Sequence, residues 1–222
     1  MTTAIILAAG KSERMGAGMD KAFLSLVAKP VVAWSLIAFE RCAEIDRIVL
    51  VVRKDQQTAA KAVAKMFGIS KLQTIVAGGA KRQDSVKAAL AACDVDTRHV
   101  VIHDAARPLI SSDVISETVK LVKRFPAVTV GRRIVDTVKL APKGKEVKET
   151  LDRETLWAVQ TPQAFLLRTL RAAYKALGAK EITDDCQAVE LAGETVKILE
   201  NRKPNFKITT PEDLELVSAL LK

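Results

Sequence analysis

Residues able to do chemistry concentrate in a few short stretches of this sequence. The first is Ala8-Ala9-Gly10-Lys11-Ser12-Glu13-Arg14-Met15-Gly16, followed by Asp20-Lys21. An apolar run, Ala4-Ile5-Ile6-Leu7, stops at Gly10 and gives way to a polar loop carrying Lys11, Arg14 and Lys21. A short strand that ends at glycine with cations just beyond it is one way to hold a phosphate chain, because backbone N–H groups and positive side chains converge on the anion. A solvated turn whose cations serve solubility fits this segment alone equally well. Gly10-Lys11-Ser12 mimics the end of a G-x-x-x-x-G-K-S loop, but Ile5 stands where that motif needs its first glycine, so the triphosphate-wrapping loop is excluded. A dinucleotide G-x-G-x-x-G fingerprint fails as well, since Ser12 occupies its second glycine position.

The second stretch is Gly78-Gly79-Ala80-Lys81-Arg82-Gln83-Asp84-Ser85. A glycine pair allows close backbone approach, and a helix starting behind it offers free N–H groups and a positive dipole end. An ordinary β-to-α turn has the same local signature. Ser85 either reads a base edge or caps the helix. The third stretch is His103-Asp104-Ala105-Ala106-Arg107-Pro108. Asp104 suits a ribose hydroxyl or Mg²⁺, and equally an ion pair with Arg107. Arg107, ahead of Pro108, offers a rigidly placed guanidinium for phosphate.

Elements must bring these stretches together. Apolar, β-rich runs at Ala4–Ala8, Arg47–Val52, Leu72–Val76, His99–His103, Ala127–Val130 and Val196–Leu199 alternate with helical patterns at Val31–Cys42, Gln56–Phe67, Arg82–Ala92 and Asp113–Arg124. This alternation predicts an α/β fold with a mainly parallel twisted sheet. Runs such as Ile48-Val49-Leu50-Val51-Val52 fit strands covered on both faces. Ile134–Ala141 and Glu146–Leu151 break the rhythm around Pro142-Lys143-Gly144-Lys145 and predict a β-hairpin with a polar tip. Such a ribbon is marginal alone, so it is expected to pack on something, plausibly a second subunit. Thr210-Pro211-Glu212-Asp213 announces a last helix over Leu214–Leu221, with Thr as N-cap and Pro at the first helical position. In a parallel sheet ligands bind outside the carboxyl ends of the strands. The three stretches would therefore open on one edge, which supports a nucleotide site.

Composition narrows the classes. The chain has 222 residues, a net charge of +9, three cysteines and two histidines, a length that suits one large domain with a substantial core or at most two small ones. Cys42, Cys93 and Cys186 are widely spaced and read as reduced thiols in a cytoplasmic protein rather than as metal ligands. No apolar run approaches the ~20 residues of a membrane helix, and the N-terminal run is too short for a signal peptide. The cations are dispersed without an aromatic platform, so small phosphorylated ligands and general solubility explain the charge as well as nucleic acid would, and a basic, non-catalytic nucleic-acid-binding protein is the alternative from another class.

Assembled, these residues resemble the cytidylyltransferases of isoprenoid precursor synthesis, and among them the family acting on 2-C-methyl-D-erythritol 4-phosphate. The resemblance spans essentially the whole chain. It includes Leu7-Ala8-Ala9-Gly10 with Arg14-Met15-Gly16, Asp20-Lys21, the Gly78-Gly79 to Ser85 loop and His103 to Pro108. It continues through Asp136-Thr137-Val138-Lys139, Leu151-Asp152-Arg153 with Leu156-Trp157, Gln160-Thr161-Pro162-Gln163, Thr183-Asp184-Asp185 and Asn205 to Leu214.

The resemblance implies a Rossmann-like nucleotidyltransferase fold. One domain over residues 1–222, with helices on both sheet faces, would carry a protruding β-hairpin arm at about 132–155 that mediates homodimerisation. It implies CTP and a sugar-alcohol phosphate as substrates, with Mg²⁺, and release of pyrophosphate. Arg14, Lys21, Arg153 and Lys207 match the catalytic positions. Thr137, Arg107, Asp104, Thr161 and Thr183 match substrate contacts, and Ala8, Ala9, Gly10, Gly78, Gly79, Ser85 and Ala105 match nucleotide contacts. Asp104 is also the candidate metal ligand. Thr183 serves equally as a cap for a helix starting at Asp184. Asp20 stands where the family usually has proline, which loosens the loop ahead of Lys21. The sister enzymes acting on ribitol 5-phosphate share most motifs, but Ala9, Ala106 and Leu151-Asp152-Arg153 favour methylerythritol phosphate.

Overall fold

In the computed structural model, residues 1–10, 21–142 and 144–221 are described. The central sheet has seven strands in the order β11-β7-β10-β6-β1-β4-β5. These are β1 (Thr2–Ala8), β4 (Arg47–Val52), β5 (Leu72–Ala77), β6 (His99–Asp104), β7 (Ala127–Arg133), β10 (Trp157–Leu166) and β11 (Val196–Glu200). β1 runs parallel to both neighbours, with Ile5 opposite Val49 on β4 and opposite Ile102 on β6. Because side chains alternate across a strand, Ala4, Ile6 and Ala8 enter one core while Ile5 enters the other.

The first core is closed by α1 (Val31–Arg41), α2 (Gln57–Met66) and α4 (Ser112–Val122), whose Val32, Leu36, Phe39, Ala60, Val63, Ile115 and Val119 pack there. The second is closed by α3 (Arg82–Ala91), α5 (Leu167–Leu177) and α6 (Asp185–Leu191), through Val86, Leu90, Leu170, Tyr174 and Val189. A smaller cluster seats α7 (Pro211–Leu220) through Val217 and Ile208 against Leu26 and Val31. Covering both faces explains why the strands read as continuous apolar runs rather than alternating ones.

The expected strands and helices are all present. The chain moves outward from β1 through β4 to β5, then returns to place β6 on the other side of β1. This reversal creates a topological switch point between β1 and β6, where open α/β sheets bind ligands.

Sequence periodicity missed β10, which runs antiparallel between β6 and β7. Gln160-Thr161-Pro162-Gln163 interrupts its apolar pattern, and proline has no N–H to give a ladder. The strand accommodates them by a register shift between Gln160 and Gln163, with a cis Thr161–Pro162 peptide. The short hairpin of β2 (Ser25–Leu26) and β3 (Lys29–Pro30) was also not anticipated, because two-residue strands carry no periodicity.

The anticipated ribbon is shorter than its sequence pattern. β8 (Val138–Leu140) pairs with β9 (Glu149–Leu151), Val138 facing Leu151. Its residues are largely exposed. Lys143 at its tip lies outside the described residues. The Thr210 N-cap of α7 is as expected. Its hydroxyl accepts from Asp213 N at 3.4 Å, and Asp213 accepts in turn from Thr210 N at 2.9 Å.

Candidate active site

A cavity of about 310 Å³ opens at the switch point. The β1 exit contributes Ala8, Ala9 and Gly10, the β5 exit Gly78 to Arg82 with Ser85, and the β6 exit Asp104 to Ala106. Leu7, Lys21, Ala22, Arg53, Lys54 and Lys207 complete the lining. Described residues of all three stretches singled out in the sequence thus share one cavity.

Hydrogen bonds hold these exits against one another. Gly78 N donates to Val52 O at 2.9 Å, and Ala105 N donates to Leu7 O at 2.9 Å. The Ser85 hydroxyl accepts from Gly79 N at 3.1 Å. Ser85 therefore fastens the glycine loop onto α3 from its first turn rather than capping the helix. Asp84 does that work instead, accepting from Lys81 N at 3.1 Å. A side chain on Gly78 would strike Ala9, and one on Gly79 would strike Asp84, so the close approach of loop and strand requires glycine at both positions.

Asp104 is the electrostatic centre of the cavity. Its Oδ2 accepts from Lys207 Nζ at 2.6 Å, and its Oδ1 accepts from Arg82 Nε at 3.3 Å. The anticipated ion pair with Arg107 is not formed. Arg107 instead donates to Asn205 O at 2.8 Å, because the 205–208 segment docks on the β6 exit. Ile208 N donates to Ala106 O at 2.8 Å there, and this docking brings Lys207 over Asp104. Burial alone raises the Asp104 carboxyl, but Arg82 and Lys207, with Arg107 further off, outweigh it and hold the group well below the usual carboxylate range. Asp104 is therefore ionised at neutral pH.

Beneath this centre lies His103, wholly buried. Burial drives its imidazole down to about 3, so the ring is neutral. Thr161 Oγ1 sits 3.1 Å from His103 Nδ1 and accepts from Asp104 N at 3.1 Å. Asn205 Nδ2 donates to Thr161 O at 2.9 Å. In this structure Thr161 and Arg107 fasten the cavity's supporting wall from behind and do not line it.

Other anticipated residues are dispersed. Thr183 is exposed, and its N and Oγ1 donate to Gln187 Oε1 at 2.7 and 3.2 Å. The cap of α6 is Asp184, whose Oδ1 accepts from Gln187 N at 2.9 Å, not Thr183. Thr137 and Arg153 lie at the base of the ribbon and outside the cavity lining. Arg153 Nη1 donates to Val135 O at 2.5 Å, and its Nε lies 3.8 Å from Glu154, not Asp152. Arg14, together with Lys11 and Asp20, lies outside the described residues.

Sequence inspection assigned no role to Arg82, which faces both Asp104 and the buried Asp185. A signal was present. Lys81 and Arg82 put two cations at the N-terminus of α3, where the helix dipole disfavours them, so acidic partners had to exist elsewhere in the fold.

A doubly covered α/β sheet, with a glycine-gated, lysine-lined cavity at its switch point, defines a nucleotide-binding domain of the Rossmann-like kind. The chain matches the family described as 2-C-methyl-D-erythritol 4-phosphate cytidylyltransferase over residues 2–222, and it belongs to that family. Among relatives of that name, the protein of Alkaliphilus oremlandii is 40% identical over 224 residues, covering 100% of this chain and 95% of the relative. That of Dehalococcoides mccartyi is 44% identical over 220 residues, covering 99% and 95%. A solved 4-diphosphocytidyl-2C-methyl-D-erythritol synthase from Anaerococcus prevotii superposes with a TM-score of 0.89 at 30% identity, covering 99% of this chain and 95% of that one.

Proposed function

We propose that this chain transfers the cytidylyl group of CTP to 2-C-methyl-D-erythritol 4-phosphate and releases pyrophosphate. The supporting observation is the single cavity in which the β1, β5 and β6 exits meet Lys21 and Lys207, in a chain that matches the family over its full length. An oxygen of the acceptor phosphate attacks the α-phosphorus of CTP. The new P–O bond forms as the bond to the β-phosphate oxygen breaks, and the electron pair leaves on pyrophosphate. The attacking phosphate is already ionised, so no general base is required. The obstacle is repulsion between two anions, and cations at the equatorial oxygens lower it.

In this scheme Lys21 and Arg14 neutralise charge at the α-phosphorus. Ala8, Ala9, Gly10, Gly78, Gly79, Ser85 and Ala105 seat the nucleotide. Lys207, Arg153 and Thr137 take the acceptor phosphate, with Arg107, Thr161 and Thr183 shaping the surroundings. Lys207 is close to Asp104, whereas Arg153 and Thr137 stand on the ribbon. The site is therefore completed by the ribbon of a second copy in a homodimer. Exposed Val135 and Val147, at 78% and 59%, support such a contact.

The donor set suits Mg²⁺ held chiefly by triphosphate oxygens. Asp104 presents one ionised carboxylate, and the described residues contain no cluster of three or more metal-ligating side chains. Mg²⁺ favours such sites, keeping few protein ligands. Held by the triphosphate, with Asp104 facing it across the cavity, the ion would screen the triphosphate charge. No described helix is long and apolar enough to cross a membrane, which fits an enzyme working on water-soluble substrates.

The test is pyrophosphate release with each of the four nucleoside triphosphates and with methylerythritol phosphate or ribitol 5-phosphate as acceptor. Turnover with CTP and methylerythritol phosphate is expected. Faster turnover of ribitol phosphate would overturn the substrate assignment.

A further inference from the structure

A line of charge runs from the buried interior into the cavity lining and joins three helices to Lys207. Tyr174 on α5 donates its hydroxyl to Asp185 Oδ1 at 2.6 Å. Asp185 Oδ2 lies 2.8 Å from Arg82 Nη1. The same guanidinium reaches Asp104 Oδ1 through Nε at 3.3 Å, and Asp104 Oδ2 holds Lys207 Nζ at 2.6 Å. The Asp185 side chain is 0% exposed, Asp104 is 11% exposed and Lys207 is 38% exposed. The line therefore runs from a sealed end to an open one.

We propose that Asp185, held by Tyr174, is a positioning residue. It pins Arg82 so that Asp104 keeps a fixed cation partner and can release Lys207 to a substrate phosphate. The proposal rests on the cytidylyl-transfer reading above.

The two cations on Asp104 differ in kind. Arg82 is planar, forked and anchored on its far side by a carboxylate that cannot move. Lys207 is a point charge on a flexible stem at the cavity edge. When an anion draws Lys207 away, a buried carboxylate left alone would be strongly destabilising. Arg82 prevents that, since Asp104 retains one charge-assisted contact. The fork also needs both carboxylates. Deprived of Asp185, Arg82 would be held by Asp104 alone over a long contact, and Asp104 would lean harder on Lys207. Tyr174 holds Oδ1 of Asp185 by a hydrogen bond, while Oδ2 meets Arg82 as an ion-pair contact.

The experiment uses the full chain with Asp185→Asn and Tyr174→Phe. It measures KM for methylerythritol phosphate at saturating CTP, and the ¹⁵Nζ resonance of Lys207 in the ligand-free protein, assigned with Lys207→Arg. Asp185→Asn is expected to raise that KM about tenfold or more, the scale of one charged hydrogen bond, and to shift the Lys207 resonance. Tyr174→Phe should move both the same way by less. Arg82→Lys, which keeps the charge but cannot bridge both carboxylates, should fail to restore the wild-type KM. A merely structural role would lower the active fraction, so Vmax would fall at constant KM. That result, or an unmoved Lys207 resonance, overturns the proposal. Should Asp185→Asn not fold, Tyr174→Phe carries the same two readouts. If the unmodified protein releases no pyrophosphate from CTP with this acceptor, the functional reading fails, while the Lys207 resonance still decides the link.

Discussion

The sharpest steric prediction concerns Gly78→Ala. A methyl at this position would sit 2.3 Å from Ala9 Cβ and 2.8 Å from Ser85 Oγ. Carbon atoms rest about 3.5–4.0 Å apart, so the loop and the β1 exit must separate by more than about 1 Å. Ala9 has no rotamer to turn, because its methyl moves only with the backbone. Gly78 is fixed on the other side by its N–H to Val52 O at 2.9 Å. Its neighbour Gly79 is tied to Ser85 at 3.1 Å. The strain must therefore spread into the two walls that line the cavity. Overpacking of this kind costs about 1–3 kcal/mol of stability. A displacement of that size at a positioned phosphate site costs about 10²-fold in kcat/KM. CTP binding by titration calorimetry and pyrophosphate release would measure the loss, with thermal unfolding as the control for folding. Unchanged CTP affinity and turnover in a folded Gly78→Ala protein would refute the claim that this glycine sets the cavity's shape.

Three further outcomes follow from the same structure. Lys21→Ala should lower kcat by about 10²–10³-fold, the scale for one transition-state donor, and near-normal single-turnover kinetics would show that another cation carries the role. Hydrogen bonds from Thr209, aided by Thr210, hold the Asp213 carboxyl below its usual value. A carboxyl depressed in the folded state contributes fully above its unfolded pKa, near ~4, and loses that contribution as pH falls through the folded value. Asp213→Asn should therefore cost about 1 kcal/mol at neutral pH, and the gap from wild type should narrow as the pH falls below ~4 in denaturant unfolding followed across pH. Under the proposed homodimer, removing the ribbon tip at Pro142–Lys145 should weaken self-association in sedimentation experiments, and an unchanged sedimentation profile would refute the role proposed for the ribbon.

The order of elements was legible because the central parallel strands β1, β4 and β6 are buried on both faces and the helices around them on one. Burial on that scale leaves an apolar imprint in the chain, as in Ile48 to Val52. Gly78 and Gly79 were legible for a related reason, since the close backbone approach at both positions leaves no room for a side chain. β10 escaped detection because its central Gln160-Thr161-Pro162-Gln163 is polar and broken. There Thr161 fastens Asp104, Gln160 and Thr161 fasten Asn205, and Gln163 fastens Thr129 and Asp184.

By itself the sequence determined an α/β sheet, three chemistry-bearing stretches on one of its edges, and the family to which they belong. Which charge meets which was decided only by the tertiary structure. Asp104 is three residues from Arg107 yet pairs with Lys207 and Arg82, because the docking of the 205–208 segment and the placement of α3 bring those cations to it. Local spacing records what a strand or helix must bury. A pairing across about a hundred residues depends on where separate elements come to rest, and no single segment encodes that.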